Sequence, residues 1–210
     1  MLVSILLSPN LRNANSDIVC AGGASIFSSC NYLVIAIREG SKLSRVINTI
    51  FARRSIREYT KEKVSEKDVK TLLEAAMAAP SASNLKPWHF IVVTSRQMLD
   101  NLAKIHPYGK MLVKAPLCIV VCGDTKISPL FWVVDCSLAA ENLLLAVTAL
   151  GLGAVWLGAY PGEERINPMR KILNIPENIV PLNLICIGHP AEKKESRTQY
   201  DELRVHREQW

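Results

Sequence analysis

The apolar positions of the chain become regular from residue 46 onward. Between Ser65 and Pro80, Val69, Leu72, Leu73 and Ala76 recur at i, i+3, i+4 and i+7, the spacing of one helix face. Ser65 caps that helix, Glu66 and Asp68 fill its first turn, Val64 and Val69 form a staple, and Pro80 ends it. Residues 90–94 are a short run of β-formers, and 95–105 place Met98, Leu99, Leu102 and Ile105 on one side of a second helix. Residues 116–124 predict a buried strand ending in Gly123-Asp124. Residues 135–153 predict a helix closed by Gly151 and apolar nearly all round, almost wholly apolar over 135–150. Such a helix needs cover on every side. Strands follow at 154–160 and 181–190, separated by a short helix whose start Asn167-Pro168 marks. Strands alternating with helices, without an internal repeat, predict an α/β or α+β layered domain. Its long helix packs on the sheet and on a partner subunit.

The first 45 residues differ in character, being rich in Ser, Asn and Gly. The stretch 18–37 has no charged residue and is about as long as a membrane span. Gly22-Gly23, its serines and Asn31 dilute it, and no basic region precedes it. A poorly structured extension over 1–45, or a start placed too far upstream, is the favoured expectation. The domain itself is expected over 46–210.

Composition narrows the class. At 210 residues, with 49% hydrophobic and 21% charged residues, the chain is long enough for one sizeable core and lies far from the disordered range. A net charge of +6 permits an anionic partner without demanding one. No long Lys/Arg stripe is interleaved with aromatics, which disfavours nucleic acid. Of the six cysteines, Cys118, Cys122 and Cys186 lie in apolar runs, Cys20, Cys30 and Cys136 lie elsewhere, and no pair has C-x-x-C spacing. They read as small core hydrophobes in a reducing cytoplasm.

Residues 52–60, ARRSIREYT, crowd Arg53, Arg54, Ser55 and Arg57 together directly after an apolar run. Such a cluster repels itself unless an anion shares it. Forked guanidiniums and a hydroxyl suit a phosphate, since each guanidinium can give two parallel charged hydrogen bonds. A solvated basic surface is the bland reading of the same residues. A second unusual stretch is AAPSASNLKPWHF, 78–90, where Pro80, Ser81, Ala82, Ser83 and Asn84 precede Lys86-Pro87-Trp88. Small residues let backbone approach a flat ligand, and an Asn amide can bond a ring edge. Alone, the stretch reads as a turn-rich loop.

Together with GLGAVWLGAYP (151–161), and in this order, these motifs resemble the FMN-dependent nitroreductase family in its short, single-domain branch, over roughly residues 46–210. The resemblance implies an α+β fold with a central, mainly antiparallel sheet flanked by helices, in an intertwined homodimer. It implies that Arg53, Arg54, Ser55 and Arg57 hold the FMN phosphate and ribityl chain. Pro80 through Asn84 would lie along the flavin ring of the other subunit. The turn Leu157, Gly158 and Ala159 would offer a backbone hydrogen bond toward N5, and Arg197 would join the phosphate site. Lys86 stands where the family has glutamine; near the ring it would favour the reduced anion, while pointing to solvent is an equal reading. Lys110 is a weaker candidate for the same edge.

His89, His106 and His189 have ordinary packed or surface readings, with no metal spacing to Cys or carboxylates. Glu163 and Glu164 read as a helix start. The expected activity is that of a cytoplasmic FMN-dependent oxidoreductase. NADH or NADPH gives a hydride to flavin N5, and a nitroaromatic, quinone or similar small molecule takes the electrons in a ping-pong sequence. No catalytic side chain is expected, because the flavin carries the difficult chemistry. The alternatives are a dehalogenating or flavin-fragmenting member of the superfamily, and, in another class, a basic nucleic-acid-binding module.

Overall fold

Two stretches of the sequence are apolar without alternation, and they become the two central strands. The computed structural model describes residues 45–210; residues 1–44 of the expected extension, the stretch 18–37 and Cys20 and Cys30 lie outside the described residues. Helix α1 covers residues 45–52. It is followed by α2 (Glu66–Met77), β1 (Trp88–Val93), α3 (Arg96–Ile105) and β2 (Leu117–Asp124). The chain continues through α4 (Trp132–Ala149), β3 (Gly153–Gly158), α5 (Glu163–Leu173) and β4 (Ile179–Gly188). The four strands pair antiparallel in the order β1-β2-β4-β3. This is the α+β architecture that the motifs imply.

Every residue of β2 is buried, as are eight of the ten in β4. Both strands are covered on both faces, which is why their sequences run apolar continuously instead of alternating. On one face, Leu117, Ile119, Val121, Ile185 and Ile187 meet α2 and α4 through Leu72, Ala76, Ala139 and Leu143. On the other, Cys118, Val120, Cys122, Leu184 and Cys186 meet α3 and α5 through Leu99, Leu102, Ile166 and Met169. The four cysteines among the described residues, Cys118, Cys122, Cys136 and Cys186, are buried and free. Each fully buried aliphatic chain contributes about 1.5–3 kcal/mol of transfer free energy.

α2 and α3 begin, and α4 ends, where their sequences direct. Ser65 accepts from the Asp68 N–H to cap α2, Ser95 precedes α3, and Gly151 follows α4 with φ 73°. Two boundaries differ. α4 starts a turn before residue 135, because Trp132 packs into the core over Gly123. α5 starts at Glu163, not at Asn167-Pro168, so Pro168 lies inside the helix. Glu163 and Glu164 in the first turn favour the earlier start, and packing of Ile166 and Met169 outweighs the hydrogen bond that Pro168 cannot give.

The chain after α1 crosses the outer edge of β3. Ser55 forms a parallel bridge with Ala154, the Ile56 N–H donates to the Ala154 carbonyl at 2.8 Å, and Tyr59 bridges Pro190. Gly153 makes this crossing possible: a Cβ there would stand 2.7 Å from Cγ2 and 2.8 Å from Cβ of buried Ile56. Gly153→Ala should therefore cost about 1–3 kcal/mol by overpacking. It should lower the thermal midpoint by several degrees; an unchanged midpoint in a calorimetric scan would show that the contact is not tight.

Candidate functional site

The cationic strap after α1 is held from two sides. Beneath it, the Tyr59 hydroxyl reaches the carbonyls of Ile56 at 2.6 Å and Cys186 at 3.1 Å. Burial pushes this phenol well above its ordinary value, so it remains a donor. Beside it runs the C-terminal segment. Thr60 N–H donates to His189 O, Ala191 N–H to Glu58 O, and Arg197 N–H to Phe51 O. The Glu192 carboxylate takes the N–H groups of Arg57 at 2.5 Å and Glu58 at 3.3 Å and pairs with Lys194 at 3.2 Å. Lys194 in turn donates to Ser55 O at 2.6 Å. The Arg57 N–H, helped by Lys194, holds the Glu192 carboxyl below the usual carboxylate range.

Backbone is thus well bonded while the guanidiniums are not neutralised. Arg54 donates to the Glu195 carbonyl, and Arg57 touches only the Ser55 carbonyl at 3.5 Å. Among the described residues neither meets a carboxylate, and nor does exposed Arg197. Arg53 alone does, at 3.6 Å from Glu141 on α4; a pair this loose and this exposed is worth about 0–1 kcal/mol. Burial pushes the Glu141 carboxyl up, and Arg53 opposes that rise.

The loop from Pro80 to Lys86 hangs on the other side of α4. The Ala82 N–H donates to Asp135 Oδ1 at 2.9 Å, and Ser128 Oγ reaches Asp135 Oδ2 at 3.3 Å. Asp135 is 2% exposed, so this contact fixes the loop in place. Ser81 Oγ accepts from the Lys86 N–H at 2.9 Å. Ser83, Asn84 and Lys86 all have positive φ, of 50°, 57° and 52°, a conformation that costs non-glycine residues of order 1–3 kcal/mol each and gathers at ligand clamps. The side chains of Asn84, Lys86 and Lys110 are exposed. At about 100° per residue, Asp135 and Glu141 point roughly 120° apart around α4. The loop and the strap are therefore anchored to different faces of one helix.

The third motif lies at the far end of β3. The Ala159 N–H is given to Leu182 O at 2.9 Å, so Leu157, of the same parity, also bonds toward β4. Ala154, Trp156 and Gly158 turn their backbone groups to the opposite edge, as the bond from Ile56 to Ala154 shows. Of the three residues expected to face the flavin, only Gly158 presents an N–H to that edge. A Cβ on Gly158 would meet nothing nearer than Trp156 Nε1 at 3.7 Å, which leaves room for a flat ligand. The Gly158 carbonyl is occupied: His106 Nε2 lies 3.0 Å from it, and Arg165 Nη1 donates to it at 3.0 Å.

Asp135, His106, Arg165, Glu192 and Lys194 were not singled out by sequence as site residues. Asp135 carried a signal, as an acid at the start of a helix that is apolar nearly all round. The rest owe their places to contacts across 50 or more residues of sequence for His106 and 130 or more for Glu192 and Lys194, or, for Arg165, to the helix start that Pro168 obscured.

Comparison with known proteins places this geometry. Residues 50–108 and 105–189 match the model of the nitroreductase family. The "Putative NADH dehydrogenase/NAD(P)H nitroreductase" of Methanothermobacter thermautotrophicus is 44% identical over 183 residues, covering 85% of this chain and 96% of that protein. A crystal structure of the protein of the same description from Bacteroides thetaiotaomicron matches with a TM-score of 0.77 at 44% identity, over 79% of this chain and 98% of that one. The structure of a "putative nitroreductase in complex with FMN" from Desulfovibrio desulfuricans matches with a TM-score of 0.67 at 35% identity, over 77% and 96%. With the family matched over most of the described residues and a relative this similar along nearly its whole length, the chain belongs to the nitroreductase family, whose enzymes are FMN-dependent NAD(P)H oxidoreductases.

Proposed function

We propose that this chain works as a homodimeric FMN-dependent NAD(P)H oxidoreductase, in which each subunit supplies the phosphate-binding strap of one site and the ring-side loop of the other. One observation carries the reading: among the described residues no carboxylate pairs with the guanidiniums of Arg54 and Arg57 on the rigidly bonded strap, or of Arg197 on the segment beside it. An anion resolves their repulsion, and the dianionic FMN phosphate fits, with Arg53 freed from its loose contact with Glu141. The FMN of the Desulfovibrio relative supports the choice of anion. Gly158, on the open edge of the strand that the strap crosses, offers its N–H to a ring nitrogen. Ser81 to Asn84, whose loop is anchored to Asp135 rather than to the strap, would serve the neighbouring subunit. Lys86 and Lys110 would add positive charge at the ring's edge.

Bound FMN would accept a hydride from NADH or NADPH and return the electrons to a nitroaromatic, quinone or similar acceptor. The chain's own residues position, shield and polarise. No described side chain has the placement of an acid–base dyad at Gly158 except His106, whose ring nitrogens are both committed. The dimer is supported by α4, which exposes Phe131 (52%) at its N-cap and Val134 (54%) and Leu138 (41%) beyond it. A stripe of that kind calls for cover.

Replacing Arg57 with Ala removes a charged hydrogen-bond partner worth about 1.5–3 kcal/mol, so FMN should bind roughly 10- to 100-fold more weakly. Riboflavin, without the phosphate, should bind both proteins alike, and apo stability should be unchanged. Titration of apo protein with each flavin checks this; equal FMN constants for wild type and variant would remove the strap as phosphate site. Leu138→Lys should raise the dimer dissociation constant by at least about tenfold, since a buried unpaired charge costs several kcal/mol, and should release FMN with it. Sedimentation that finds flavin-loaded monomers of the wild type would contradict the shared site.

A further inference from the structure

His106 sits at the end of α3, 4% exposed, with no part in holding the strap. Both of its ring nitrogens have partners of fixed polarity. The Tyr108 backbone N–H, which can only donate, lies 3.2 Å from Nδ1. The Gly158 carbonyl, which can only accept, lies 3.0 Å from Nε2. One state satisfies both: a neutral ring with its hydrogen on Nε2. A charged imidazolium would set N–H against N–H at Tyr108. The Gly158 carbonyl receives a second donor from Arg165 on α5, which also pairs with Glu164 at 3.0 Å.

Gly158 is where β3 leaves the sheet, and glycine alone would hold its backbone loosely there. In an extended strand a residue's N–H and C=O point to the same edge. Two donors on the Gly158 carbonyl therefore fix the direction of its N–H, the group assigned above to the flavin ring. We propose that neutral His106, together with Arg165, is a positioning residue that aims the Gly158 N–H, so that ring binding becomes sensitive to protonation of His106.

This inference rests on the flavin reading but concerns the ring, whereas the strap concerns the phosphate. Among the described residues, the charged and titratable groups near the His106 imidazole can be named one by one. Arg165, with Glu164, faces it from α5; Tyr108 follows it in the turn with its ring centroid 6.2 Å away; Lys104 on α3 and Lys110 on the next turn are exposed. Burial pulls the imidazole below its ordinary value, the Gly158 carbonyl opposes this, and Arg165 adds to the lowering. A histidine depressed in the fold is destabilising only when charged. The contact is therefore kept above the ordinary value of about pH 6.5 and is lost as pH falls through the lower folded value.

The test uses the full-length protein, wild type and the variants His106→Gln, His106→Leu and Arg165→Gln, titrated with FMN and with riboflavin between pH 5 and 8. Nitrogen NMR of the wild type reads the tautomer directly and is expected to show a neutral ring protonated on Nε2. At neutral pH, His106→Leu should weaken FMN and riboflavin alike, by about three- to tenfold for one lost hydrogen bond. His106→Gln, whose amide can replace the Nε2 donor, should bind like wild type at neutral pH and lose the fall in affinity at acid pH. Arg165→Gln should weaken both flavins less than His106→Leu. Riboflavin affinity that is equal in all four proteins, or acid profiles identical in wild type and His106→Gln, would overturn the proposal while leaving the strap intact. Failure of wild type to bind any flavin would overturn both readings, and a ring protonated on Nδ1 would overturn this one. If His106→Leu does not fold, the comparison of His106→Gln with wild type still decides.

Discussion

The arrangement depends on one edge contact. Where the Ile56 N–H meets the Ala154 carbonyl, at 2.8 Å, the chain after α1 joins the sheet as a short parallel neighbour of β3. Gly153 has no side chain to obstruct Ile56, and the Tyr59 hydroxyl ties the same strap to the Cys186 carbonyl of β4. Three arginines are thereby mounted on the edge of a rigid sheet. Because β3 carries both Ala154 and Gly158, one strand sets the spacing between the cationic cluster and the free backbone donor. Loops alone could not hold two such groups in register.

α4 is the second organising element. Its inward residues, Ala139, Ala140 and Leu143, fill the core against the sheet. Its two charged residues each hold a different part of the site: Asp135 takes the loop after α2, and Glu141 takes Arg53. The helix is long and apolar enough to cross a membrane by length and composition, but about half of it is buried in the core of this fold. In the proposed dimer the rest of its surface covers the neighbouring copy, which brings one chain's loop to the other chain's strap.

Much of this was legible in the sequence, for identifiable reasons. Ser65, Val69, Leu72 and Ala76 define α2 through local capping and period, and β2 shows itself as an unbroken apolar run because both its faces are covered. The arginine cluster stood out because it crowds like charges within five positions of sequence. What escaped was set by tertiary contact. Pro168 looked like a helix start, yet Ile166 and Met169 carry α5 through it. Leu157, Gly158 and Ala159 looked equivalent, and only the register of β3 against β4 separates Gly158 from its neighbours. His106 gave no local sign of its contact, since its partner lies across the fold on Gly158.

The central claim is that the strap binds the flavin phosphate of its own subunit while the loop before β1 flanks the flavin of the other. A crystal structure of the protein grown with FMN tests this most directly. The account predicts a dimer with the phosphate against the guanidiniums of Arg54, Arg57 and Arg197, the Gly158 N–H on the ring, and Ser81 to Asn84 of the second subunit beside it. A phosphate bound elsewhere, or a ring enclosed by one chain's own loop, would contradict it.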